Sequence, residues 1–454
     1  MVNARHRDMA STLPPAVAGS RLLGVLPDVR RDILGTLERA RREQGDVVRL
    51  LAGPPRLRNT TYAIFHPDGV RQAMATDADR YRKDNVFYEE IRWALGDGLL
   101  NSQDERWLRQ RRFIQPLFTR RRIAGYAEAM GEEAEALSAR WRAAGDTIDL
   151  HAEMSRVTLR IVGRLLFGAD VERAVPVVAR VFPLLGEYAR MRAYNPLRTP
   201  RSWPTPANRR AAAAREEIRS VCDELIAARR ADGAGDDLIG LLIAARDGDE
   251  RLDDSEIRDQ VLIFLLAGHD TTAIALTFAL HLLGQHPEEQ ERVHAEAAAV
   301  GGRTPGAADV EQLAYTTMVL KEAMRLYPPA WGFGRRNSAD DEVGGHCVPG
   351  GADILVSPWV THRHPGFWDE PERFDPERFS PGRESARHKH AYFPFGAGPR
   401  ACIGQYFSML EAAILLSVIV RDHELTSLSG HVPLAPRITL HPAGPVVSRL
   451  RPLH

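Results

Sequence analysis

Residues Phe393-Pro394-Phe395-Gly396-Ala397-Gly398-Pro399-Arg400-Ala401-Cys402-Ile403-Gly404 decide how this chain is read. Three glycines, two prolines and a cysteine stand directly before an apolar run, 405–421, that reads as a helix. Glycine tolerates backbone geometry that other residues resist and lets a chain approach a flat ligand. Cys402 is thereby expected just ahead of a helix N-terminus, whose dipole favours a thiolate. A thiolate in a tight loop is one way to ligate haem iron, and it pushes electron density that favours O–O cleavage. A lone cysteine is more often a structural core residue. The spacing Phe395-Gly396-x-Gly398-x-Arg400-x-Cys402-x-Gly404 is too particular for packing alone.

A second stretch reads with the first. Asp253-Asp254-Ser255-Glu256 is a capping-box start, and the helix it opens is expected to run over 253–285, ~48 Å at 1.5 Å per residue. Its middle, VLIFLLAG, is apolar nearly all round, so the helix should be buried through the centre of the protein. Inside it lie Ala267-Gly268-His269-Asp270-Thr271-Thr272, poor choices for a buried helix interior. They mark either a kink or helix–helix contact, or a working site. A carboxylate and a hydroxyl on adjacent helix positions can relay protons into a dry pocket.

The rest of the sequence narrows the class. The chain has 454 residues, and its 60 basic and 60 acidic residues cancel. That excludes a strongly basic nucleic-acid binder. Length alone gives a soft count of about three domains, yet no linker, repeat or boundary divides the chain, so one domain over 1–454 is expected. Cys222, Cys347 and Cys402 are too few and scattered for a disulfide framework or zinc cluster, which implies a reducing compartment. The N-terminus MVNARHRDMASTLPPAVAGS has no apolar core, and the longest apolar runs fall short of the ~20 residues that span a bilayer. The expectation is a cytoplasmic protein without a membrane anchor. Strands are expected at 46–51 and 60–65, helices over about 104–330, and short β-runs around Gly344-Gly345 and Pro349-Gly350-Gly351. The fold class is therefore mainly α with a minor β-sheet region.

The cysteine loop resembles the haem-binding signature of the cytochrome P450 family, and further motifs of that family occur in order along nearly the whole chain. The resemblance implies haem b, with Cys402 as axial ligand, between the long I helix (the 253–285 helix) and the L helix that follows the loop. Glu322-Ala-Met-Arg325 is similar to the family's Glu-x-x-Arg, and Pro376-Glu-Arg378-Phe379 to its Pro-x-Arg-Phe segment. Glu322, Arg325 and Arg378 are then a buried structural triad, although Pro371-Glu372-Arg373-Phe374 repeats the second motif. Ala267–Thr272 resembles the oxygen-activation motif, with Gly268 leaving room for dioxygen and Asp270 and Thr271 as the acid–alcohol pair. Trp107, Arg111, Arg400 and Arg335 are implied to hold the haem propionates, with Arg336 competing with Arg335. Arginine suits this role because its planar fork pairs with carboxylates.

By the same resemblance Leu99, Leu100, Phe264, Ala267, Ala330 and Trp331 border a hydrophobic substrate, and 180–205 covers the site. The arginines at 106, 109, 111, 112 and 120–122 border a face where an acidic ferredoxin would dock. A separate ferredoxin and NADPH- or NADH-dependent reductase are expected, because no flavin domain follows the loop. The implied reaction inserts one oxygen atom from O2 into a lipophilic molecule, such as a terpenoid, polyketide or macrolactam scaffold. A peroxide-driven peroxygenase and a non-enzymatic haem protein are the rival readings.

Overall fold

Two devices set the length of the helix around which the chain is built. Asp253 Oδ1 accepts the N–H of Glu256 at 2.8 Å, and Glu256 Oε2 accepts the N–H of Asp253 at 3.1 Å. This reciprocal box satisfies orphan donors at the start. At the far end Gly284 closes the helix, and His286-Pro287 opens the next one, Pro287–Ala299, with proline at its first position. Between them the central helix runs unbroken over Asp254–Leu283. The structure, a computed structural model, describes residues 13–143, 145–168, 174–193, 198–233, 235, 237–246 and 249–453. The first twelve residues, on which the reading of the N-terminus partly rests, lie outside these.

The central helix is apolar and long enough to cross a membrane by length and composition, with a mean hydropathy of 1.7. A count of uninterrupted apolar residues passes over it. Its apolar stretch is 78% buried inside the protein, so other helices take the place of lipid. Helix Leu150–Phe167 crosses it at Gly268, where a Cβ would stand 3.2 Å from Val162 Cγ2. Helix Gln405–Asp422 meets it where the hydroxyls of Thr272 and Ser408 lie 2.9 Å apart. Beyond helix Ala314–Leu326, Tyr327 stacks on Phe278 at 4.1 Å between centroids. These contacts join a single large core. Each large side chain removed from water there contributes roughly 1.5–3 kcal/mol.

The expected strands fall one residue away from their anticipated bounds, as Val47–Ala52 and Asn59–Ile64. They begin a five-stranded sheet that continues through Asp353–Val356, Phe333–Asn337 and Tyr81–Arg82. Gly344 and Gly345, at φ 58° and 78°, turn the hairpin between Asp341–Val343 and His346–Val348, the geometry a two-residue loop requires. A second core of Val48, Phe65, Trp331, Trp359 and Leu440 packs beside the sheet. The tail returns as short strands, among them Leu434–Pro436 and Leu440–Pro442, which pair as a hairpin. The architecture is mainly α with a minor β contribution.

Candidate haem and oxygen-activation site

The 393–404 loop is built around two reversals. Gly396 and Gly398 adopt φ 73° and 64°, conformations that cost other residues energy. A Cβ on Gly398 would lie 2.2 Å from Met74 O, so the loop rests directly on the backbone beside it. Inside the loop Gly396 N–H donates to Phe393 O at 2.9 Å and Cys402 N–H to Phe395 O at 2.8 Å. Phe393 N–H donates to His362 Nε2 at 2.9 Å, an anchor the sequence reading did not include. Cys402 is accessible, yet protein surrounds it, so its sulfur faces a recess within the fold. Burial pushes its thiol up, while the Gly404 N–H and the charges of Arg111 and Lys83 pull it down. The expected helix-terminal stabilisation is present but outweighed. Metal coordination deprotonates such a thiol outright.

The cations around this recess provide the test of fit. Arg400 donates to Ser102 O and Gln103 Oε1, both at 2.8 Å, and stacks 4.0 Å from the Trp107 ring. Burial, and then Arg335, push Arg400 down to about 10. Arg335 is 2% exposed and donates to Gly334 O. Strand alternation turns the neighbouring Arg336 the other way, onto Asp353 at 2.7 Å. Lys83 is buried against Leu100 O at 2.9 Å, with its pKa lowered by burial, Arg335 and Arg400. Arg111 donates to Gln115 Oε1. Among the described residues none of these four cations pairs with a carboxylate. Buried charges are normally paired. A planar group with one sulfur-ligated metal and two carboxylates satisfies this cluster, so the residues fit haem b. Lys83 escaped the sequence reading. The signal was there, since lysine stands at only three positions in a chain that otherwise uses arginine.

The triad residues meet beneath the loop. Arg325 Nε and Nη2 donate to the two oxygens of Glu322 at 2.6 and 2.8 Å, and both residues are 0% exposed. Arg378 Nε stands 3.4 Å from Glu322 Oε1, whereas Arg373 is exposed and pairs with Glu370. Arg325 also donates to the carbonyls of His362, Pro371 and Arg373. It therefore ties the 362–375 coil to the Ala314–Leu326 helix.

On the central helix the motif residues diverge. Thr271 Oγ1 donates to Ala267 O at 2.9 Å, and both residues are partly accessible. Asp270 turns to another side, where Oδ2 accepts from Thr439 Oγ1 at 2.6 Å and lies 3.3 Å from His441 Nε2. Burial would raise this carboxyl, but the His441 and Thr439 bonds and the nearby histidines lower it to about 2. At Gly268 a Cβ would stand 3.2 Å from Val162 Cγ2, so the glycine permits close helix contact on that side. Thr272 is buried and bonded to Ser408, a helix–helix contact.

Of the expected substrate residues, Leu99 N–H is held by Gln260 Oε1 at 2.9 Å and Leu100 O by Lys83, which fixes their segment to the central helix. Phe264 stacks on Phe118 at 5.2 Å. Ala330 is half-buried. Trp331 is buried in the second core, and its N–H donates to Arg437 O at 3.0 Å. Of the 180–205 segment, 194–197 fall outside the described residues, and the part before them ends helix Ala174–Ala193. In the arginine run, Arg109 is held by Glu250 and Glu256 at 2.9 and 2.5 Å, which offset its charge. Arg112, Arg120 and Arg121 remain exposed.

Comparison with known proteins agrees with this geometry. The family model described as Cytochrome P450 matches residues 14–446. "Cyclooctatin synthase" of Streptomyces melanosporofaciens is 39% identical over 392 residues, 85% of this chain and 84% of that protein. "Cyclooctat-9-en-7-ol 5-monooxygenase" of the same organism is 37% identical, over 85% and 84%. "Pentalenene oxygenase" of Streptomyces avermitilis is 36% identical over 84% of each chain. The solved structure titled "Crystal structure of cytochrome P450DA heme domain" superposes with a TM-score of 0.87 at 27% identity, covering 98% of both chains. A cysteine in a glycine-turned loop, unneutralised cations around it and relatives of this kind lead to one assignment: the chain belongs to the cytochrome P450 family, whose members carry haem b on a cysteine thiolate, and is a monooxygenase.

Proposed function

We propose that this chain hydroxylates or epoxidises a cyclic terpenoid scaffold, using electrons from a ferredoxin and its reductase in the bacterial cytoplasm, as one domain. The observation that carries the reading is the Cys402 loop with its four cations. In it Cys402 would ligate the haem iron, and Arg400, Arg335, Arg111 and Lys83 would hold the propionates beside Trp107. When bound, the haem supplies reductive dioxygen activation, which the thiolate favours. The chain's own residues do the rest. The proton of Thr271 is committed to Ala267 O, which leaves the hydroxyl oxygen to accept from a water. Asp270 supplies protons from its side of the helix. Leu99, Leu100 and Phe264 present an apolar wall that favours a lipophilic substrate. The substrate class is supported by the relatives, whose names refer to pentalenene and to a cyclic alkenol. The donor is supported by the exposed Arg112, Arg120 and Arg121 beside the helix Asp104–Ile114.

The test is turnover of the haem-loaded protein with NADPH, a reductase, an acidic ferredoxin and a panel of cyclic terpenoid alkenes under isotopically labelled O2. One labelled oxygen per product is expected, with Arg121→Glu lowering the ferredoxin-supported rate at low salt. Turnover with peroxide but none with electron donors would overturn the monooxygenase assignment of the site. Oxidation of unrelated scaffolds alone would overturn the substrate class.

A further inference from the structure

Asp270 does not end in a closed pocket. Beyond it lies a recess of about 390 Å³ between helices Leu150–Phe167 and Ala174–Ala193, the central helix and the 437–441 tail. Arg156, Pro183 and Arg437 at its edge are exposed, so it reaches solvent. Two histidines from distant parts of the sequence line that recess beside the carboxylate. His441 Nε2 lies 3.3 Å from Asp270 Oδ2, and its other nitrogen, Nδ1, lies 3.4 Å from His151 Nε2. The two rings are 5.4 Å apart at 83°. A single file of alternating donors and acceptors thus leads from the recess to the acid.

We propose that His151 and His441 form a proton wire that recharges Asp270 from solvent. This rests on the reading of Asp270 as the proton source for oxygen activation. A relay toward Asp270 sets the tautomers: His441 carries its hydrogen on Nε2, beside Thr439 Oγ1 and Asp270 Oδ2, and accepts at Nδ1 from the Nε2–H of His151. Thr277 Oγ1, 3.5 Å from His151 Nδ1, gives its own proton to Ala273 O, so its oxygen can accept from a proton that water places on His151 Nδ1. A water proton added there releases the Nε2 proton of His151 to His441 Nδ1. The Nε2 proton of His441 then passes to Asp270 Oδ2. Each imidazole is neutral before and after, the carboxylate becomes a carboxylic acid, and rotation of the rings restores the starting tautomers.

The surroundings of His151 favour its neutral form. Burial and then His441 lower the pKa of His151, against the opposing charges of Asp270 and Asp149, with Arg437 adding to the lowering. His269, the third histidine of the recess, is lowered by burial and its Nδ1 is taken by Leu265 O, which leaves it outside the file. Thr439 bonds both Asp270 and His441 Nε2 and fixes their alignment. His151 and His441 are positioning residues, acting through Asp270.

The test uses His441→Gln and His151→Gln, which keep a hydrogen-bonding amide but cannot relay. Histidine ring signals are first followed by NMR in the reduced, carbon monoxide-bound holoenzyme. Asp270→Asn should displace the ring signals of His441 and, through it, those of His151. Turnover is then measured against pH and in heavy water. Either variant should slow turnover about tenfold, less than a directly acting acid costs because water substitutes in part. Each should also enlarge the solvent isotope effect and change the pH profile. Variants with the wild-type rate, profile and isotope effect, and histidines that ignore Asp270, would overturn the wire. Should His441→Gln fail to take up haem, His151→Gln at the recess end decides alone. Failure of the wild type to turn over with any donor would instead defeat the functional reading beneath it.

Discussion

Replacing Glu322 with alanine should prevent stable folding without touching the chemistry. The side chain is 0% exposed and accepts three hydrogen bonds, from Arg325 Nε at 2.6 Å, Arg325 Nη2 at 2.8 Å and Asp375 N–H at 3.0 Å. Truncation strands the guanidinium of Arg325, also 0% exposed, with only the carbonyls of His362, Pro371 and Arg373 as partners. Bonds to charged groups are worth about 1.5–3 kcal/mol each, and breaking one side of a buried pair costs about 3–5 kcal/mol. Against a total of about 5–15 kcal/mol, that is a large share. The assay is urea unfolding of Glu322→Ala and Glu322→Gln, with haem content measured on the same samples. Glutamine retains one acceptor and should lie between wild type and alanine. Arg378→Ala should also destabilise, whereas exposed Arg373→Ala should stay within about 0.5 kcal/mol of wild type. A stable, haem-loaded but inactive Glu322→Ala protein would refute the structural assignment and move Glu322 into the chemistry.

Three further outcomes follow from the geometry. Thr271→Ala should still consume NADPH and oxygen but release more of the reducing power as hydrogen peroxide; an unchanged ratio of product to NADPH would show the wrong hydroxyl. For Asp270 the folded pKa of about 2 lies below the ordinary 3.8, so its ionised form stabilises the protein above about pH 4. That contribution, roughly 2 kcal/mol, is lost as pH falls through about 2. The stability gap between wild type and Asp270→Asn should therefore be full at pH 6 and about half as large at pH 3; a gap independent of pH would contradict it. Gly398→Ala should cost about 2 kcal/mol or more, because φ is 64° and the new Cβ would meet Met74 O; unchanged urea unfolding would contradict the loop's close seating.

Local signals in the sequence reported local structure well. Asp253 and Glu256 announce the central helix because capping is a three-residue event, and the glycine loop announces Cys402 because the turns need those residues in place. Arg335 and Arg336 could not be separated from sequence, since strand phase decides which of two neighbours faces inward. The packing of Trp331 and the pairing of Arg109 were hidden for a related reason. A tryptophan's surroundings and an arginine's partner, here Leu440 and Glu250, come from segments more than a hundred residues away. Gly268 carries the same lesson, because the Val162 that stands against it comes from a helix more than a hundred residues earlier. His441 and His151, 290 residues apart, had no sequence signal at all.

The account stands on Cys402 as the haem thiolate, and the reduced carbon monoxide difference spectrum reads that bond directly. The wild type should show the red-shifted band of a thiolate-ligated ferrous haem, Cys402→Ala should lose it, and Cys222→Ala and Cys347→Ala should keep it. Cys222 is buried in helix Pro206–Asp232 and Cys347 sits in the short hairpin, both outside the loop. A band that survives Cys402→Ala and disappears with either of the other two substitutions would contradict the assignment of the site.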